Sequence, residues 1–238
     1  MSPDILLVVM VTAVAQSLFG VGVLLFGTPL LLLLGHDFIR VLGVLLPVSL
    51  AINLMQVARH HAVMDFTLYR RILSFTLPPI AMFLFLVTHI RMDIGLVVGL
   101  FLLLIAAKEF LPALDRALAS MMRHERLYCV AMGTVHGLSN LGGSLLTALV
   151  HHKGYGRDVT RVTVAVSYAT FAVIQLLTLV LSGWQRLGFS LTGNGLSLLV
   201  GVAVFLVVEV AFFGRIAPER YRRIFAGFLA ASGLALLR

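Results

Sequence analysis

One cysteine, Cys129, is all the chain contains, which excludes an intrachain disulfide and any cysteine metal cluster. Charge is nearly as scarce: Asp, Glu, Lys and Arg make up 12% of the 238 residues, too few to solvate the surface of a water-soluble domain of this size. Catalytic signatures are missing as well. The sequence has no H-E-x-x-H, no G-x-S-x-G, no P-loop and no G-x-G-x-x-G after a strand, so an enzyme is not expected and no cofactor or metal is implied. The paired histidines His60 and His61, and His151 and His152, lack the spaced carboxylates or cysteines of a metal site and read as solvated ends of helices.

What the chain has in abundance is hydrophobicity. Sixty per cent of its residues are hydrophobic and the mean hydropathy is +1.05, which places it in the bilayer. Seven stretches are poor in charge: Ile5–Gly35, Val41–Ala58, Ile72–Thr88, Ile94–Ala107, Leu127–Val150, Val162–Gln185 and Leu187–Val208. Ile224–Leu237 is a shorter eighth. About 20 apolar residues cross a bilayer as a helix, and the short stretches borrow flanking residues whose charged ends snorkel, Lys108 and Glu109 among them. The start, MSPDILLVV, has no basic segment and its apolar run is too long for a cleaved signal, so it is expected to stay in the mature protein. The net charge of +8 is assigned to basic cytoplasmic loops rather than to nucleic-acid binding.

The sequence reads as two halves. Ala13, Gln16, Ser17 and Gly20 recur as Gly133, His136, Gly137 and Asn140, placing small and polar residues at i, i+3, i+4 and i+7, one face of a helix. Each set is followed by glycines (Gly20, Gly22 and Gly27; Gly142 and Gly143), an apolar run, a turn near Gly35 or Gly154, a basic residue at Arg40 or Arg161, and another span. A duplication of about 120 residues accounts for this. It divides the chain into a first repeat, 1–114, a cytoplasmic linker, 115–126, and a second repeat, 127–238.

The basic residues test the topology. If every apolar segment crosses once, Arg59–Arg71 and Lys108–Arg126 face one side while Lys153–Arg161 and Arg215–Arg223 face the other, and no orientation satisfies the positive-inside preference. If the first segment of each half instead enters and returns as a hairpin broken at its glycines, all four loops face the cytoplasm. They carry fourteen of the 18 Lys and Arg and leave Arg40, Arg91, Arg186 and Arg238 outside. Each half is then a broken hairpin plus three crossing helices, so the expected fold is an all-α membrane protein built as an inverted repeat, with both termini outside.

Irregular backbone at membrane depth survives only where protein or a watery cavity satisfies its polar groups. Gly20–Gly22 and Asn140–Gly143 are therefore expected to meet near the midplane, away from lipid. A short helix is expected to start at each break, near Val23 and near Ser144, and its free N–H groups and positive dipole end suit an anion.

The paired stretches GVGVLLFGTPLLLLLG, 20–35, and GLSNLGGSLLTALVHHKGYGRDVTR, 137–161, opening two four-segment halves, resemble the TauE/SafE sulfite exporter family. The first half departs from the family pattern, its glycine cluster thinned to Gly20, Val21, Gly22 and Val23. The resemblance implies a transporter of sulfite, sulfonates or related small organosulfur anions across the bacterial inner membrane.

Candidate substrate-binding residues are Gly20, Gly22, Ser139, Asn140, Gly142, Gly143 and Ser144 at the breaks, with Thr28 and Thr147 a little further on. Asn53 and Gln56 follow on the polar stripe Ser49–Asn53–Gln56, and Gln175, with Thr178 near it, is their partial counterpart. Helix capping, packing of small residues and interhelical hydrogen bonds are the alternative explanations of the same residue types. His136 and Glu209 are candidate proton carriers. Their static alternatives are a hydrogen-bonded core histidine and a carboxylate paired with an arginine such as Arg215. An anion channel or a non-transporting accessory subunit would fit the same pattern, and assembly as a homodimer is left open.

Overall fold

The computed structural model describes residues 2–60, 64–90, 92–183, 191–212 and 229–237. Arg91, Arg186, Arg238, the loop Arg215–Arg223, the start of the seventh apolar stretch and most of the loop after His60 lie outside these residues. The described chain is helical throughout: α1 Pro3–Phe19, α2 Val23–Leu33, α3 Phe38–His60, α4 Phe66–His89, α5 Ile94–Phe110, α6 Pro112–Met122, α7 Glu125–Ser139, α8 Gly143–His152, α9 Arg157–Leu181, α10 Leu191–Phe212 and a final helix, α11, over 229–236. Among the described residues four helices are long and apolar enough to cross a membrane, within α3, α4, α9 and α10.

The first and fifth apolar stretches are each broken in two, as expected. Gly20 ends α1 in the left-handed region, φ 76°, where glycine carries no Cβ penalty, and α2 starts at Val23. Asn140 ends α7 at φ 63° and is the one non-glycine residue with positive φ among those described. Asparagine tolerates that region better than most residues. The returning helices close on Gly35, φ 83°, and Gly154, φ 70°, the two turns expected from sequence. Elsewhere, Asp65 and Asp93 cap α4 and α5 by accepting from the amides of Leu68 (2.9 Å) and Leu96 (3.0 Å). Pro29, Pro47, Pro78 and Pro79 lie inside helices, as membrane helices allow where neighbours satisfy the freed carbonyls. The stretch expected as a cytoplasmic linker is itself mostly helical: α6 starts at Pro112 and α7 at Glu125.

Helices α3 and α9 pack on each other in the middle of the molecule; α4 packs on α7 and α9, and α10 packs on α1 and α3. In lipid the contact of two helices gains little from excluding water and depends on close packing, for which small residues are required. A Cβ on Gly137 would lie 2.8 Å from the carbonyl oxygen of Ile80, and one on Gly133 would collide with the carbonyl of Thr76. Gly201 of α10 is held the same way against Val48 and Val9. Gly99 of α5 and Gly233 of α11 face each other's carbonyl oxygens, at 3.0 and 2.9 Å from the Cβ positions. Outward, Leu199, Val207, Val210 and Leu181 are exposed, the apolar surface a bilayer covers.

Candidate functional site

Each broken hairpin ties its break to the polar residue of a central helix. In the first, the Gln16 amide nitrogen donates to the Gly20 carbonyl (3.0 Å) and to Asn53 Oδ1 (3.2 Å), while its oxygen accepts from the N–H of Val23 (3.1 Å), the first residue of α2. Asn53 in turn donates to the carbonyl and hydroxyl of Ser49, at 2.7 and 3.1 Å. In the second, His136 Nε2 lies 3.1 Å from Gln175 Oε1, the Gln175 amide donates to Asn140 Oδ1 (3.2 Å), and Asn140 Nδ2 donates to the hydroxyl of Thr28 (2.9 Å). His136 is sealed against the rings of Phe171 and Tyr168, with centroids 5.1 and 6.2 Å away. The side chains of Gln16, Asn53, Ser49, His136, Gln175, Asn140 and Thr28 are all buried, and a buried polar group without a partner is costly, so the bonds hold both breaks in one geometry.

Two buried groups in these networks stay unsatisfied by protein: both amide atoms of Gln56 and the Nδ1 of His136. Gln56 is one turn beyond Asn53 on the same stripe of α3.

The remaining candidates take local partners. The Ser139 hydroxyl donates to the Val135 carbonyl (2.7 Å) and accepts from the N–H of Leu141 (3.3 Å), and that of Ser144 donates to the Leu141 carbonyl (3.0 Å). Thr147 and Thr178 bond back to the carbonyls of Gly143 and Ile174. A Cβ on Gly22 would stand 2.6 Å from the Gln16 backbone nitrogen, and one on Gly142 would press on His136 and Met132. The Tyr168 hydroxyl occupies the place of a Gly143 Cβ. These three glycines are thus required by packing. The two breaks also stand at different levels: Asn140 meets α2 part way along its length, at Thr28, whereas Gly20 lies beside Arg161 in the first turns of α9.

Glu209 is paired with an arginine, but from a different element than the sequence suggested. It accepts from Arg161 (2.7 Å) and from the Ser17 hydroxyl (3.1 Å), whereas Arg215 lies outside the described residues. The Arg161 and Glu209 side chains are 8% and 5% exposed. Sequence reasoning misses Arg161 and Ser17 in this assembly and Gln16 at the first break. The charge count places Arg161 in a loop, although it stands inside an apolar helix register, and the repeat pattern marks Ser17 and Gln16 without assigning them a role. Gln16 was recoverable, because it stands where the second half has His136.

A second polar cluster fastens the ends of α4, α7, α8 and α9. Glu125 accepts from Arg71 and from Lys153, and Tyr155 donates to Asp65, whose own amide points to the Thr163 hydroxyl (3.4 Å). Burial raises the Glu125 and Asp65 carboxyls, but these hydrogen bonds outweigh it and both sit below their ordinary range. Burial and the bond to Asp65 push the Tyr155 phenol up to about 12. Arg123, His124 and Arg126 line an open groove beside this cluster. The exposed His151 and His152 lie at the end of α8. No group of three or more His, Cys, Asp or Glu able to hold a metal is found among the described residues; the side chains of His60 and Glu109 are outside what is described.

The fold and the site define a multi-pass helical membrane protein with two interrupted hairpins whose breaks are bonded to the central helices. Residues 5–236 match the family model described as sulfite exporter TauE/SafE, and the chain belongs to that family. No match is found among curated proteins or solved structures. The family consists of transporters of small anions across a lipid bilayer and not of enzymes, in agreement with the sequence reading on each of those points.

Proposed function

We propose that the protein exports sulfite or a related small organosulfur anion across the bacterial inner membrane by alternating access between two inverted halves. The helix contacts support the inverted repeat: exchanging α1 with α7, α3 with α9 and α4 with α10 turns α4 on α7 into α10 on α1, and α4 on α9 into α10 on α3. The Gly99–Gly233 contact between α5 and α11 maps onto itself under the same exchange. A related pair of halves, able to rock against each other, is the usual basis of secondary transport.

The observation that carries the reading is the matched pair of bonds Gln16–Asn53 and His136–Gln175, each at a hairpin break, with the buried amide of Gln56 left without a partner beside the first. The anion passes between the hairpins, meeting at successive levels the break at Gly20–Gly22 with Asn53 and Gln56, and the break at Asn140–Gly143 with Gln175, Ser139 and Ser144. A charged substrate drawn to helix N-termini needs compensation to cross at low cost, and a co-transported proton on His136 or Glu209 supplies it.

Flux into liposomes containing the purified protein tests this, with sulfite, sulfate, thiosulfate and short sulfonates competing against one another. Saturable uptake with counterflow of one sulfur anion is the expected result. Single-channel currents would establish a pore instead, and absence of both flux and anion-induced thermal stabilisation would point to an accessory subunit.

A further inference from the structure

We propose that Arg161 is the residue that binds the negative charge of the substrate, and that it does so by exchanging Glu209 for the anion. The inference rests on the transporter reading above and deepens it.

The argument starts from where the charge is. Among the described ion pairs, Arg161–Glu209 alone has both side chains under a tenth exposed. A buried pair of this kind gains little net stability over a well-packed apolar pair of the same volume. The fold itself does not demand it at such a site: Ser17 corresponds to Gly137 in the repeat, and where Ser17 faces Glu209, Gly137 faces the apolar run at Ile80 and Phe83. The second break is tied by neutral groups alone, His136, Gln175, Asn140 and Thr28. The charged pair is therefore an addition to one hairpin, at its break.

The surroundings of Arg161 suit an oxyanion. Its Cγ passes 3.8 Å from the Cβ position of Gly20, so the arginine stem runs along the bend between α1 and α2. The first turn of α2 is buried there. The N–H of Val23 is taken by Gln16, while those of Leu24 and Leu25 have no acceptor within the helix. Gln56, 2% exposed, stands one turn beyond Asn53, which is bonded to Gln16 at this break, and neither atom of its amide has a partner. A guanidinium fork matches two oxygens of a sulfite or sulfonate group, leaving the third for a neutral donor. Glu209 holds that fork with one carboxylate oxygen and also receives the Ser17 hydroxyl. In the empty protein it stands in for the substrate on Arg161. When an anion takes its place, α1 loses its Ser17 anchor to α10, which links binding to movement of the hairpin.

The exchange predicts opposite effects from two substitutions. Binding of ethanesulfonate and of sulfite to the purified full-length chain is measured calorimetrically for the wild type, Glu209→Gln and the double variant Arg161→Gln/Glu209→Gln. Glu209→Gln removes the competitor and binds several-fold tighter. The double variant, which removes both charges of the pair together, binds at least about tenfold weaker, the scale of one lost hydrogen bond to a charged group. Wild-type affinity in the double variant overturns the proposal while leaving the transporter reading intact, as does weaker binding by Glu209→Gln. Should the double variant fail to fold, Glu209→Gln decides alone. Wild-type protein that binds none of the sulfur anions overturns both readings together.

Discussion

Asn140 donates its side-chain amide to the hydroxyl of Thr28 over 2.9 Å, joining the break of the second hairpin to the returning helix of the first. The same amide accepts from Gln175 through its oxygen, and its backbone is in the left-handed region. One residue thus sets the bend of α7, its tie to α9 and its register against α2.

A double-mutant cycle measures that tie. Thr28→Val keeps the shape of the side chain and removes the hydroxyl; Asn140→Gly keeps the left-handed backbone and removes the amide. Hydrogen bonds between membrane helices contribute about 0.6 kcal/mol on average and up to roughly 1.7. A coupling within that range is expected in the unfolding free energy. Strict additivity of the two substitutions would show that the bond contributes nothing to joining the hairpins.

The close approach of α7 to α4 makes a second prediction. Gly133→Ala places a methyl group against the Thr76 carbonyl, and overpacking of this kind costs typically about 1–3 kcal/mol. Gly195→Ala in α10, which meets nothing within 4 Å, serves as the control and leaves thermal stability unchanged or slightly raised. Equal stability of the two variants would mean that α7 is free to shift away from α4.

Topology is tested by labelling. On a Cys129→Ala background, single cysteines replacing Arg70, Arg116 or Gly156 should react with an impermeant maleimide only after the membrane is opened. Arg40→Cys should react in intact cells. Reaction of Gly156→Cys in intact cells would exclude the hairpin arrangement, because only entering and returning segments bring all the basic loops to one side.

Glu125 gives a stability prediction with a defined sign. Its carboxyl is held below its ordinary value of 4.5 in the folded protein, so it contributes stability that is present above that value and lost as pH falls below it through the folded pKa. Wild type should be more stable than Glu125→Gln at neutral pH, and the gap should close on acidification from about pH 4.5 downward. A gap independent of pH would assign the effect to packing rather than to the bonds with Arg71 and Lys153.

The hairpin breaks were legible because glycine, asparagine and clustered polar residues inside an apolar run have few physical explanations, and the structure ends α1 and α7 at Gly20 and Asn140. Turns at Gly35 and Gly154 were legible for the same reason. What pairs with what was not. Arg161 is separated from Glu209 by 48 positions and Asn140 from Thr28 by 112, and no local pattern encodes a contact across helices. The glycines illustrate the limit from the other side. Sequence marks Gly142 and Gly143 as places for close approach, but only the packed structure shows that the approaching groups are His136 and the Tyr168 hydroxyl.

His136 carries the last prediction. Its Nε2 is bonded to Gln175 and its Nδ1 has no partner in a fully buried setting. The facing groups on α9 are the Gln175 amide, the Phe171 ring and the titratable Tyr168, and the Asn140 amide follows through Gln175. None carries a charge at neutral pH, so among the described residues a proton arriving on Nδ1 finds no fixed cation to repel it and no carboxylate to hold it. A substrate anion between the hairpins would be its natural counter-charge. His136→Gln keeps a polar side chain of similar reach, able to bond Gln175, and removes the titration. If protons move with the anion through this residue, the variant still exchanges labelled substrate at equilibrium but its net flux no longer follows an imposed pH gradient. A wild-type response to the gradient in His136→Gln would make the histidine a structural bridge, with Nδ1 satisfied by water.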